Sequence, residues 1–221
     1  MGKFLDSEGV GYLWGKTKEL VSSEVAPLEE MVYKAHGSVA VSVSPSVIEN
    51  GVETEVTVRN TVTLSGESFS PAGVVVKEGS SQISTTANSS VKRTVNATTT
   101  YTAEATFIDG VKKSGSAKVT AVYPMYFGGS ASSSLDSAGV TGLVKQGLKT
   151  SPNGSYTVSV GQGEYLWLCV PSGMKVNKVA SAGFDVPMEA AATVAVSGKG
   201  NYSCYRSSSK FNAGSVAITV S

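Results

Sequence analysis

Residues 101–123, YTAEATFIDGVKKSGSAKVTAVY, decide the fold class. Tyr101, Ala103, Ala105 and Phe107 alternate with Thr102, Glu104 and Thr106, the period of two that marks a strand with one apolar face. Asp109-Gly110 follows, a dipeptide suited to a tight hairpin turn because both positions tolerate positive φ. Ala117, Val119, Ala121 and Tyr123 then alternate on a return strand.

The same grammar extends in both directions. Upstream, Val39, Val41 and Val43 alternate, as do Val52, Thr54, Val56 and Val58, and Val74–Val76 form a short apolar run. About seven short strands separated by turn signals over 38–123 predict an immunoglobulin-like sandwich. The Cys…Trp…Cys hallmark of antibody domains is absent, so the likeness is to the wider sandwich class. Downstream, PMYFGGS at 124–130 reads as a junction, and AGVTGLVKQGL at 138–148 as a short helix. Tyr156, Val158 and Val160 alternate, and YLWLCV at 165–170 is apolar on both faces, as a central buried strand is. Val194 and Val196, Tyr202 and Cys204, and Val216, Ile218 and Val220 supply later strands. The expected fold is mainly β: an N-terminal helix, an Ig-like β-sandwich and a second small β-sandwich. The expected domains are a helical segment over 1–37, a sandwich over 38–123 and a C-terminal β-domain over 124–221.

Composition agrees. Of 221 residues, 41% are apolar and only 16% charged, against about a quarter in ordinary domains, and there are 24 glycines. The net charge of +1 gives no electrostatic case for nucleic acid or for an acidic membrane. No apolar region follows Lys3 as a secretory signal needs, and no stretch approaches the length of a membrane span. The expectation is a soluble chain made in the cytoplasm. Four Asn-x-Ser/Thr triplets, at Asn88, Asn96, Asn153 and Asn201, are what chance gives in so Ser- and Thr-rich a sequence.

The first 37 residues break the pattern. Asp6 suits a helix N-cap, and Leu5 and Val10 suit a hydrophobic staple around it. Val10, Leu13, Trp14, Thr17, Leu20 and Val21 recur at helical spacing, and Val25, Leu28 and Val32 continue the stripe past Pro27, where a kink or restart is expected. Gly9, Gly11 and Gly15 each cost about 1 kcal/mol relative to Ala, so so short a helix is not stable alone in water. It needs a surface to fold against, either its own β-domain or a partner. Trp14, Lys18, Val21, Val25, Leu28 and Val32 follow the 4-3 spacing of a coiled-coil seam, which points to a homo-oligomer, trimer or dimer.

Little in the sequence carries catalysis. His36, the one histidine, stands in AHGS between helix and sandwich and reads as solvated. The cysteines have no CxxC or HxxxH companions, and no D-x-D-x-D loop exists, so no metal and no cofactor are expected. Cys169 and Cys204 read as two buried thiols in a reducing compartment, with pairing across neighbouring strands the alternative. GQG at 161–163 is a turn rather than a phosphate loop. Glu164 and Asp185 are the conceivable acid pair for glycoside cleavage, but nothing in the sequence brings them together. Tyr165, Trp167, Tyr202 and Tyr205 are aromatics of the kind that bind sugars, yet their alternation places them in the core first.

FLDSEGVGYLWGKTKELV resembles the helical leader of many bacteriophage tail, baseplate and fibre proteins, through Leu5, Gly9, Tyr12, Leu13, Trp14, Lys16 and Lys18. KVTAVYPMYFGG resembles the close of their β-domain, through Pro124, Tyr126 and Gly128. GEYLWLCVPSGMKVNKVASAGFDVP with NYSCYRS resembles their terminal module, through Pro171, Gly183, Phe184, Asp185, Tyr202 and Tyr205. The resemblance is to structural proteins of tailed phages of gut bacteria. It implies a non-enzymatic virion subunit of a tail, collar or head appendage, synthesised in the host cytoplasm and located in the virion. Its partners would be other virion proteins and sister copies. Leu5, Val10, Tyr12, Leu13, Trp14, Leu20 and Val21 are the expected anchoring residues. A host-surface carbohydrate-binding adhesin is the second reading, with glycan as partner, and a phage-borne hydrolase the third.

Overall fold

The computed structural model describes residues 10–22, 36–64 and 70–221. These residues are mainly β. A helix, α1 (residues 10–22), precedes the first strands. Strands β1 (Ser38–Ser44), β3 (Thr54–Thr63) and β6 (Ser90–Val95) make one sheet in the order β1-β3-β6. Strands β2 (Val47–Glu49), β4 (Pro71–Glu78), β5 (Ser81–Ser84), β7 (Thr99–Phe107) and β8 (Lys112–Val122) make another, in the order β2-β8-β7-β4-β5. The extra strand beyond the expected seven arises at Pro45, which has no N–H to continue a ladder. Past it the chain pairs as β2 in parallel with β8, Val47 opposite Thr120 and Glu49 opposite Val122.

The quoted stretch folds as read. Tyr101, Ala103, Ala105 and Phe107 are all buried on β7. At the turn Gly110 has φ +84°, Phe107 N–H donates to the Val111 carbonyl, and the Asp109 carboxylate accepts from the Val111 amide. Val52 differs from expectation: it is exposed, in the turn before β3, whose inward positions are Val56, Val58, Asn60 and Val62.

The C-terminal region is a second sandwich. Strands β9 (Tyr126–Ser130), β10 (Val144–Lys145), β12 (Glu164–Pro171), β15 (Ala192–Val196) and β16 (Gly200–Phe211) run in the order β10-β9-β12-β16-β15. Strands β11 (Gly154–Val160), β13 (Val179–Ser181), β14 (Phe184–Asp185) and β17 (Gly214–Val220) run in the order β11-β17-β13-β14. Two expectations are corrected. The junction at 124–130 is largely strand β9, because Tyr126 and Phe127 bury opposite faces beside β12. The helix read over 138–148 is α2 (Ser137–Gly142) alone, capped by the Asp136 carboxylate on the Gly139 amide. It ends early because Val144 pairs with Phe127 as β10.

Strand β12 is buried on both faces, as its sequence demands. Leu166, Leu168 and Val170 pack with Met125, Phe127, Val158, Val160, Val179, Ile218 and Val220. Trp167 and Cys169, on its other face, pack with Tyr126, Tyr202, Cys204 and Val196 beneath Val140 and Leu143 at α2. A register shift between Tyr165 and Trp167 frees the Leu166 amide, and the buried Ser207 hydroxyl accepts from it at 3.0 Å.

Two compact units divide the chain: Met1–Ser42, Val58–Val91 and Thr100–Ala117 form one, and Val43–Thr57, Lys92–Thr99 and Lys118–Ser221 the other. Within the second, the Glu49 carboxylate accepts from Lys145 Nζ at 2.5 Å and Lys199 Nζ at 2.9 Å, with its side chain only 14% exposed. The Lys145 hydrogen bond holds the Glu49 carboxyl below its ordinary pKa, opposed by its burial and aided by Lys199. A carboxyl with a depressed folded pKa stabilises at pH above its unfolded value, near 4.5, and that contribution is lost as pH falls through the folded value. Glu49→Gln is therefore expected to cost about 1–2 kcal/mol at pH 7 and progressively less below pH about 4. Urea unfolding of both chains at pH 7 and pH 3 measures this, and an equal difference at the two pH values would refute it.

Candidate functional site

Helix α1 is the feature that the core does not absorb. Every residue from 10 to 22 is exposed. Tyr12 and Trp14 are 68% and 63% exposed, and Val10, Leu13, Leu20 and Val21 about half or more. At 100° per residue, Val10, Leu13, Trp14, Thr17 and Val21 share a face. Local contacts hold the helix: Thr17 Oγ1 donates to the Leu13 carbonyl, Lys16 pairs with Glu19 at 2.7 Å, and Lys18 Nζ lies 5.5 Å from the Trp14 ring centroid. The cation over Trp14 covers part of one ring face and leaves most of the indole in water. A side chain built on Gly11 or Gly15 meets nothing within 4 Å, so both positions are open for close approach by another surface.

Six of the seven expected anchoring residues thus lie on α1 and are exposed: Val10, Tyr12, Leu13, Trp14, Leu20 and Val21. Leu5, Asp6, Gly9, Val25, Pro27, Leu28 and Val32 lie outside the described residues. The structure adds one contact near the start of the first sandwich. His36 is not the solvated linker residue expected. Its Nε2 is 2.6 Å from Asp109 Oδ2, and its ring meets Phe107 edge-on at 5.3 Å between centroids. Gly37 follows with no room for a side chain, since a Cβ there would stand 2.5 Å from the Thr63 carbonyl oxygen. The residues just before β1 are thereby fixed to the 107–111 hairpin. The Asp-Gly turn was legible from sequence, but the residue it would hold was not.

The candidates for chemistry are dispersed. Glu164 accepts from the Gly161 amide at 2.7 Å, bracing the 161–163 turn, while Asp185 pairs with Lys178 on the other sheet. Each acid thus has its own local partner. Trp167 and Tyr202 are buried in the core and Tyr165 and Tyr205 are half-buried, so these four do not form an exposed aromatic platform. Arg206 covers the Tyr165 ring, with its guanidinium carbon 4.5 Å from the centroid. Among the described residues, no group of three or more His, Cys, Asp and Glu side chains is placed to hold a metal ion. No helix among them is long and apolar enough to cross a membrane.

Comparison with protein-family models, with curated proteins and with solved structures finds no match to this chain.

Proposed function

We propose that this chain is a non-enzymatic structural subunit of a bacteriophage virion, of tail, collar or head-appendage type, attached through α1. The observation that carries the reading is the uncovered apolar stripe of that helix. Glycine-poor helices with a polar surface survive exposure; this one has glycines at 11 and 15 and an indole in water. Burial of Leu13, Trp14 and Val21 in an assembly stabilises by about 1.5–3 kcal/mol per large side chain. That is enough to offset the two glycines, at about 1 kcal/mol each. Symmetry multiplies the gain, because copies joined in one particle bind in concert.

The helix docks either on sister copies or on another virion protein. The 4-3 spacing through Trp14, Lys18 and Val21 favours sister copies, as a trimer or dimer. Light scattering of the full chain, and of a chain lacking residues 1–35, separates these. The shorter chain keeps His36 and its pairing with Asp109. A defined oligomer that becomes a folded monomer on truncation is the expected result. A monomer in both forms removes self-association and leaves docking on a different virion protein. A full chain that is monomeric and also absent from purified particles refutes the reading.

A further inference from the structure

Cys169 of β12 and Cys204 of β16 are register partners on adjacent antiparallel strands. They are 0% and 1% exposed, on the sheet face that α2 covers. Both are free thiols. Directly opposed residues of an antiparallel pair have Cα atoms about 4.5–5.5 Å apart, inside the range of about 4.4–6.8 Å that a disulfide spans. Their side chains leave the same face of the sheet, so the two sulfurs converge. The neighbouring Cys204 thiol, together with burial, pushes the Cys169 thiol above its ordinary pKa.

We infer that Cys169 and Cys204 form a site of oxidative modification, an intramolecular cross-strand disulfide closed by exchange with a small-molecule disulfide such as oxidised glutathione. The Cys169 thiolate attacks one sulfur of oxidised glutathione, forming a mixed disulfide and releasing one glutathione thiolate. The Cys204 thiolate then attacks the Cys169 sulfur, forming the protein disulfide and releasing the second glutathione. The protein loses two electrons and two protons; oxidised glutathione accepts the electrons, and the two glutathiones leave protonated. The thiolate is the attacking species, so burial under α2 keeps the folded thiols inert. The exchange therefore runs during folding and, more slowly, through local opening of the six-residue helix. The inference stands independently of the proposed function.

The test uses the full chain, unfolded in denaturant and refolded with excess oxidised glutathione, then alkylated under denaturing conditions and weighed intact. The expected product is a monomer lighter by two hydrogens, without glutathione or alkyl adducts. Its midpoint of thermal unfolding is expected about 5–10 °C above that of the reduced chain, since the bond closes a loop of about 35 residues. The folded reduced chain in the same buffer is expected to oxidise roughly tenfold more slowly or less. Cys204→Ala, which lacks the resolving thiol, is expected to stop at one glutathione adduct. Two alkylated thiols after refolding, persistent glutathione adducts in the wild-type chain, or an oxidised chain that melts below the reduced one overturns the inference. The mass assay needs no variant to fold.

Discussion

Trp14→Ala is expected to abolish incorporation of the chain into particles while leaving both β-regions folded. The indole is 63% exposed and meets Lys18 from its own helix, so its removal opens no cavity in either sandwich. The substitution also raises helix propensity, so a loss of incorporation cannot be assigned to a melted helix. What disappears is the largest apolar side chain of the stripe. At about 1.5–3 kcal/mol for such a side chain, each attachment weakens by roughly tenfold to a hundredfold. On the proposed reading, copies held together in one particle multiply that loss. Two measurements check it: the amount of the chain in purified particles, and the thermal unfolding of the isolated variant. An unchanged melting curve with absent incorporation is the expected pair. Wild-type incorporation would mean that the stripe is not the anchor.

The two sandwiches were legible because their inward residues are apolar at period two. Tyr101 to Phe107 needed no tertiary information, and neither did β12, where six successive apolar residues leave no polar face. What failed to show depended on partners remote in sequence. Tyr126-Phe127-Gly-Gly has too few residues to declare a strand, and becomes one because β12 offers a ladder from Tyr165 to Cys169. Leu143 looked helical until Val144 found Phe127. Glu49 was one acid among many; only the fold brings Lys145 and Lys199 to it from about 100 and 150 residues away. The candidate site was visible for the same reason as the strands, through the period of its apolar residues. That Val10, Leu13, Trp14 and Val21 of α1 are exposed is a fact of three dimensions.

Asn60 is the residue where pattern reading stops short, and it carries the largest expected cost to stability. Val56, Val58 and Val62 mark the inward face of β3, and Asn60 takes the inward position between them, 2% exposed. A buried amide is tolerated only when its donors and acceptors are matched. Here they are: Nδ2 donates to the Thr86 carbonyl at 3.1 Å and to Ser89 Oγ at 2.9 Å, and Oδ1 accepts from the Asn88 amide at 2.9 Å. Asn88 sits at φ +51°, and its own side chain accepts from the Val62 amide at 2.8 Å. One amide thus holds the 86–89 turn against β3. Asn60→Ala is expected to cost about 2–4 kcal/mol, since it leaves a cavity and strips partners from the turn. Asn60→Asp keeps the shape but turns the donor into an acceptor facing the Thr86 carbonyl. Its carboxyl is expected to titrate above the ordinary range, because burial and that carbonyl both disfavour the charge. A carboxyl with a raised folded pKa destabilises as pH rises through its unfolded value. The Asp variant should therefore be closer to wild type at pH 4 than at pH 7, whereas the Ala variant should show the same deficit at both. Urea unfolding of the three chains at the two pH values measures this. An Ala variant within about 0.5 kcal/mol of wild type would mean that the turn does not depend on Asn60.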